Sequence, residues 1–260
     1  MYTKDELKGY SGEMSYERAP RAPYRELRFQ GKKGIFLFNY KEGEEWKTEE
    51  IGSDPVNVVI LRVRRRLTNI DKNWATNEHT HSGEEVVLWK EVDGRKLREL
   101  GIAKQLKEVY GKDLNAEQIL YVLYNDEICI MRIKGASLGL INQPHKNVGL
   151  YEYFGTYKRE KDEHLWMFET IISFTEEKGP KGKYFALSFE RGEEISDFEK
   201  VGDSMKEIDV LVKSMDNYYK NSLVAYKGMP AQISAPKKEE ITDQDIIEVT
   251  DDIKPEDLPF

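Results

Sequence analysis

The chain has 260 residues, of which 34% are charged, and a formal net charge of −8. That length buries a core in one large or two small domains, and fifteen tyrosines and ten phenylalanines argue against a wholly disordered chain. No apolar run approaches membrane-spanning length and the opening residues are polar, so neither a transmembrane helix nor a secretory leader is expected; the single cysteine, Cys129, excludes an intrachain disulfide framework and fits a reducing cytoplasm.

The negative charge is unevenly spread. From Met229 onward there are nine acidic residues and three lysines, a net of −6, which leaves only −2 for everything before it. What counts for the body is therefore how its charge is arranged.

Residues 1–30 interleave Tyr10, Tyr16, Tyr24 and Phe29 with Arg18, Arg21, Arg25 and Arg28. Pro20 and Pro23 forbid a continuous helix there, so this stretch reads as an extended basic and aromatic arm. From Gly34 the pattern turns to strands. Ile35 to Tyr40 is one, and Val56 to Leu67, opened by Pro55, is the longest; Glu85 to Trp89 follows a polar stretch. Residues 95–110 show helical spacing in Leu97, Leu100, Leu106 and Val109. Two apolar strands then flank Asn125-Asp126, a good two-residue hairpin turn. Residues 135–147 read as loop or short helix, and Tyr151 to Lys158, His164 to Thr175 and Lys183 to Arg191 as three more strands.

A closing helix over residues 196–226 is the clearest element. Ser196 and Glu199 have capping-box spacing, and Phe198, Val201, Met205, Ile208, Val212, Met215 and Tyr219 make an apolar stripe. The stripe suits packing on a sheet better than a coiled coil, because it is short; self-association through it stays open. Residues 228–260 are a Pro/Ala/Ser linker and an acidic tail, and residues 31–227 form the body.

Arg62-Val63-Arg64-Arg65-Arg66 is the densest charge in the body. In a regular strand Arg62, Arg64 and Arg66 share one face at roughly 6.6 Å spacing, while Val59, Leu61, Val63 and Leu67 take the other. Such a row could follow a phosphate backbone, which is the favoured reading; the alternative is a solvated edge that blocks aggregation. Rings beside that charge would stack on bases. Phe36, Phe38 and Tyr40 share a strand face, but Trp46 and Trp74 are the better candidates because their neighbours are polar. Tyr24, Arg21 and Arg25 supply the same mixture in the arm, and Lys32 and Lys33 extend it.

Metal and catalytic signals are poor. His79 and His81 with Glu78 would need further ligands, and no cysteine pair exists, so neither a metal nor a cofactor is expected. No phosphate-binding glycine loop or nucleophile elbow occurs, and nothing nominates a general base; an enzyme is not expected.

The chain closes on Glu256-Asp257-Leu258-Pro259-Phe260. A terminal phenylalanine carries an apolar ring and a carboxylate on one residue, Pro259 limits its freedom, and the acids add charge for a basic surface. This end resembles the C-terminal tip of bacterial and phage single-stranded DNA-binding proteins. The likeness is sharp over those five residues only. Lys254-Pro255 stand where that family continues with acids, and the body is longer than the family's short barrel.

The resemblance implies a divergent, phage-type member that binds single-stranded DNA without sequence preference. It further implies a tip that recruits replication, recombination or repair proteins in the cytoplasm of a bacterial host, near the nucleoid. The corresponding fold is mainly β with added helices (α+β), an oligonucleotide-binding-type (OB-fold) antiparallel barrel with a C-terminal helix and a disordered acidic tail. The alternative is a DNA-processing enzyme or recombination accessory carrying the same docking tail.

Overall fold

The computed structural model describes residues 22–43, 45–69, 74–76, 85–92, 95–110, 114–139, 147–161, 163–179 and 182–227. Arg21, most of the arm, the histidines at 79 and 81, the linker and the tail lie outside these residues.

Eleven strands dominate the described residues: β1 (Arg25–Gln30), β2 (Ile35–Glu42), β3 (Glu45–Gly52), β4 (Val56–Asn69), β5 (Trp74–Ala75), β6 (Glu85–Val92), β7 (Arg95–Ile102), β8 (Asn115–Tyr124), β9 (Glu127–Lys134), β10 (Phe168–Gly179) and β11 (Gly182–Glu194). Helices α1 (Ala103–Tyr110), α2 (Leu150–Phe154) and α3 (Glu199–Lys227) complete the α+β body. The strands follow the order β3-β2-β1-β9-β8-β4-β5-β6-β7, with the β10–β11 hairpin joined to the start of β4. All neighbours are antiparallel except β1 and β9, where Glu26 stands beside Ile130 in a parallel pair. The result is a curled, mixed sheet that forms a half-barrel.

Alternation in the central strands builds two cores, one on each face. Leu27, Phe36, Val58, Ile60, Leu120, Val122, Cys129 and Met131 point inward to a core closed by Phe168, Ile172, Leu187 and Phe189 of the β10–β11 hairpin. Val59, Leu61, Ile119, Tyr121 and Ile130 point outward, and α3 covers them with Val201, Ile208 and Val212. Each of these helix side chains contributes on the order of 1.5–3 kcal/mol by burial, so the middle of the stripe is used up on the sheet, while Phe198 at its start stays exposed. A smaller core gathers Leu67, Val86, Leu88, Leu106 and Leu114 around α1.

Several elements differ from the sequence reading. Residues 95–102 are a strand, not the first half of a helix: every residue from Arg95 to Ile102 pairs with β6, and the hairpin ladder outweighs helical spacing. Residues 151–158 are helical, α2 continuing as a π-turn from Gly155 to Glu160. Their period-two tyrosines also fit a helix, since the rings of Tyr153 and Tyr157 meet at a tilt with centroids 4.9 Å apart, one turn on. Strand β1 lies inside the supposed arm. The β8–β9 turn is as expected, with Asn125 and Asp126 both at positive φ (46° and 67°). Helix α3 starts at Glu199, whose N–H is held by the Asp197 carboxylate at 2.9 Å; Asp197 takes over the capping that Ser196 was expected to provide.

Candidate nucleic-acid interface

A bulge precedes the arginine row of β4, whose Arg62, Arg64 and Arg66 keep one face opposite Tyr121, Ile119 and Glu117. Ile60 faces Val122 and Arg62 faces Tyr121, so Leu61 is the extra residue. Strict alternation therefore fails at that point. Val59 and Leu61 join the helix-side core, Val63 packs against the inner core, and Arg62 and Arg64 point towards α3.

Each guanidinium of the row meets a carboxylate of the chain itself. Arg62 Nη1 donates to Asp209 Oδ1 at 3.0 Å, and Arg64 Nη2 donates to Asp216 Oδ1 at 2.6 Å. Arg62 is 38% exposed, whereas the Arg64 side chain is 1% exposed beneath the helix. Arg66 Nε donates to Glu117, its direct cross-strand neighbour on β8. The mutual repulsion expected of the row is relieved by Asp209, Asp216 and Glu117. Asp209 is held below the usual carboxylate range by hydrogen bonds from Lys213 and then Arg62.

Around Arg66 the outer face opens. Glu117, 2% exposed, also has Arg132 Nη1 at 3.9 Å, while Arg132 Nε donates to Glu26 of β1 at 2.8 Å. These contacts put Arg66, Glu117, Arg132 and Glu26 on one face of four adjacent strands. Two residues on from Glu26 and from Arg132, Arg28 and Lys134 project from that same face, both exposed. The parallel β1–β9 pairing brings them to the same end of the sheet. Just beyond Gln30, the exposed Lys32 and Lys33 occupy the β1–β2 turn. That turn is fixed against β11: Phe185 N–H donates to Gly31 O at 2.7 Å, and Gly34 takes φ 66° where a Cβ would press on the Phe185 ring. Arg28, Lys32, Lys33 and Lys134 form no ion pair with any described residue.

The face continues over β2 and β3. Phe36 and Phe38 point inward, so Leu37, Asn39 and Lys41 point outward, and Trp46 stands directly beside Lys41. At 69% exposure Trp46 is the largest exposed ring among the described residues. Thr48 donates to Asn39 Oδ1 at 2.8 Å, which locks the two strands behind it.

Other candidates are placed elsewhere. Tyr24 is half-buried against Tyr121, edge to face at 6.3 Å, and burial followed by a hydrogen bond to Glu207 pushes its hydroxyl well above the usual tyrosine range. Arg25 lies on the inner rim over the rings of Tyr40 (5.1 Å) and Phe38 (5.9 Å), with Glu127 at 3.4 Å. The backbone of Trp74 forms β5. Cys129 is fully buried, and burial, then the nearby Glu127, pushes its thiol up to about 11.

Charge is polarised along the sheet. The end opposite Lys134 carries a groove lined by Asp126, Glu127, Asp197, Glu199, Asp203 and Glu207, where Lys200 meets Asp126 at 2.9 Å. No group of three ligating side chains among the described residues could hold a metal ion. Among them, too, no helix is long and apolar enough to cross a membrane.

Arg28, Arg132 and Lys134 were missed as a set because the sequence does not reveal that β1 and β9 are neighbours. No family model matches the chain, and comparison with curated proteins and with solved structures likewise gives no match.

Proposed function

We propose that the protein binds single-stranded DNA without sequence preference, through the outer face of β3, β2, β1 and β9. The observation that carries this reading is a set of cations, Arg28, Lys32, Lys33 and Lys134, that have no ion pair among the described residues. They gather at one end of the sheet of a chain with net charge −8. Arg66 and Arg132 lie beside them, but paired with Glu117 and Glu26 they add no net charge. Trp46 offers a ring whose stacking is indifferent to base identity. In this reading Arg62 and Arg64 hold α3 to the sheet and leave the phosphates to their neighbours. The acidic groove at the far end repels the strand and so favours approach from the basic end.

The reading makes the chain a divergent member of the bacterial and phage single-stranded DNA-binding proteins, with the half-barrel in the role of their oligonucleotide-binding barrel. Glu256 to Phe260 then form a docking tip for replication, recombination or repair proteins. Gel shift of the full chain with labelled single-stranded and duplex oligonucleotides at low salt tests the first part. A retarded single strand is expected; failure of the single strand to shift sinks the reading. Deleting Phe260 is expected to abolish partner capture and leave DNA affinity intact.

A further inference from the structure

Resting on that reading, we propose a defined path and length for the bound strand. It runs obliquely across the outer face from Trp46 on β3, past Lys41 on β2 and Arg28 on β1, to Lys134 on β9. Bases are held at the Trp46 end and phosphates at the Lys134 end.

Sheet geometry sets the scale. From β3 to β9 are three strand spacings, about 14 Å. Along the strands, Trp46 is level with Lys41, Arg28 with Leu37, and the parallel register carries Lys134 about two residues past Arg28. Six residues of strand are about 20 Å, so the diagonal from Trp46 to Lys134 is about 24 Å. An extended single strand covers that distance in about four to five nucleotides, at the small end of sites on β-barrel binders.

The side chains along the diagonal divide the work. Lys41, Arg28 and Lys134 are exposed and form no ion pair with described residues; the carboxylate across from Lys134, on its cross-strand neighbour Glu117, is engaged by Arg66. Glu50, beside Leu37, lies off the line on the outer side of β3, and Glu26 is occupied by Arg132. Beyond Arg28 towards Lys134 the outward side chains Gln30, Arg132 and Lys134 are polar or charged and not aromatic, which leaves Trp46 as the stacking platform. A duplex keeps its bases stacked inside and cannot use that ring.

Fluorescence anisotropy of the full chain with oligothymidylates of roughly two to twelve nucleotides tests the length. Affinity is expected to climb steeply to about five nucleotides and then only by the statistical gain of extra registers. Trp46→Ala, a surface change, is expected to weaken binding of an eight-nucleotide oligothymidylate about ten-fold. The same variant should bind an abasic strand of equal length as the parent does, because that strand has phosphates and no bases. A steep rise continuing past about ten nucleotides overturns the path, as does equal weakening on both strands or no weakening on either. Those results leave the nucleic-acid reading standing; absence of binding to every oligonucleotide at low salt overturns that reading itself.

Discussion

Replacing Asp216 by alanine separates a structural role for the β4 arginines from a ligand-binding one. Arg64 Nη2 meets Asp216 Oδ1 at 2.6 Å, and the Arg64 side chain is 1% exposed. Removing one partner of a buried pair costs about 3–5 kcal/mol, because a desolvated charge loses its counterion. Asp216 is 30% exposed, so water screens part of the attraction, and about 2–3 kcal/mol is the expected loss. For a body of this size that lowers Tm by about 5–10 °C. The neighbouring pair, Arg62 with Asp209, is 38% and 40% exposed at 3.0 Å, so Arg62→Ala should cost about 0–1 kcal/mol. Thermal melts followed by circular dichroism measure both. Two results refute the reasoning. One is an Asp216→Ala variant melting within about 2 °C of the parent. The other is a variant that binds oligonucleotide more tightly and with a steeper salt dependence, since Arg64 would then be a phosphate contact held in reserve.

Two further outcomes follow from the same structure. Cys129 is buried with its thiol raised to about 11, so iodoacetamide at about pH 8 should leave it unmodified in the native chain and alkylate it fully in concentrated guanidinium; rapid native labelling would contradict its burial. Asp209 is depressed in the fold, so its contribution is present above the unfolded value of 3.8 and lost as pH falls through the folded one. The Tm difference between the parent and Asp209→Asn should therefore be present near neutrality and vanish in strong acid; a difference that grows on acidification would show the sign to be wrong.

Much of the architecture is legible in local sequence. The β8–β9 hairpin follows from Asn125-Asp126, β4 from its β-branched run, and α3 from a stripe whose middle the sheet absorbs. The errors come where local spacing fits two periods. Leu97 and Leu100 suit a helix, but the pairing with β6 decides; Tyr151, Tyr153 and Tyr157 suit a strand, but Tyr153 and Tyr157 meet as helical neighbours. The arginine row shows a further limit. Face assignment by alternation holds only until a bulge, and nothing in Val59 to Leu67 announces that Leu61 is the extra residue. Trp46, Lys32 and Lys33 were legible as exposed candidates from their polar surroundings. Arg28 and Lys134 become a pair only through the parallel contact of β1 with β9, whose partners are about a hundred residues apart in sequence.

Salt dependence of oligonucleotide binding tests the central claim most directly. An oligothymidylate of about twelve nucleotides is titrated between roughly 50 and 200 mM salt with the parent chain and with a variant carrying Arg28→Glu and Lys134→Glu. Neither cation is buried or ion-paired with a described residue, so the variant should keep the parent's circular dichroism and melt. The proposed interface predicts affinity lower by more than ten-fold and a log–log salt slope shallower by about 1.4, because two phosphates of the single strand are no longer neutralised. A parent-like slope and affinity in the variant would contradict it.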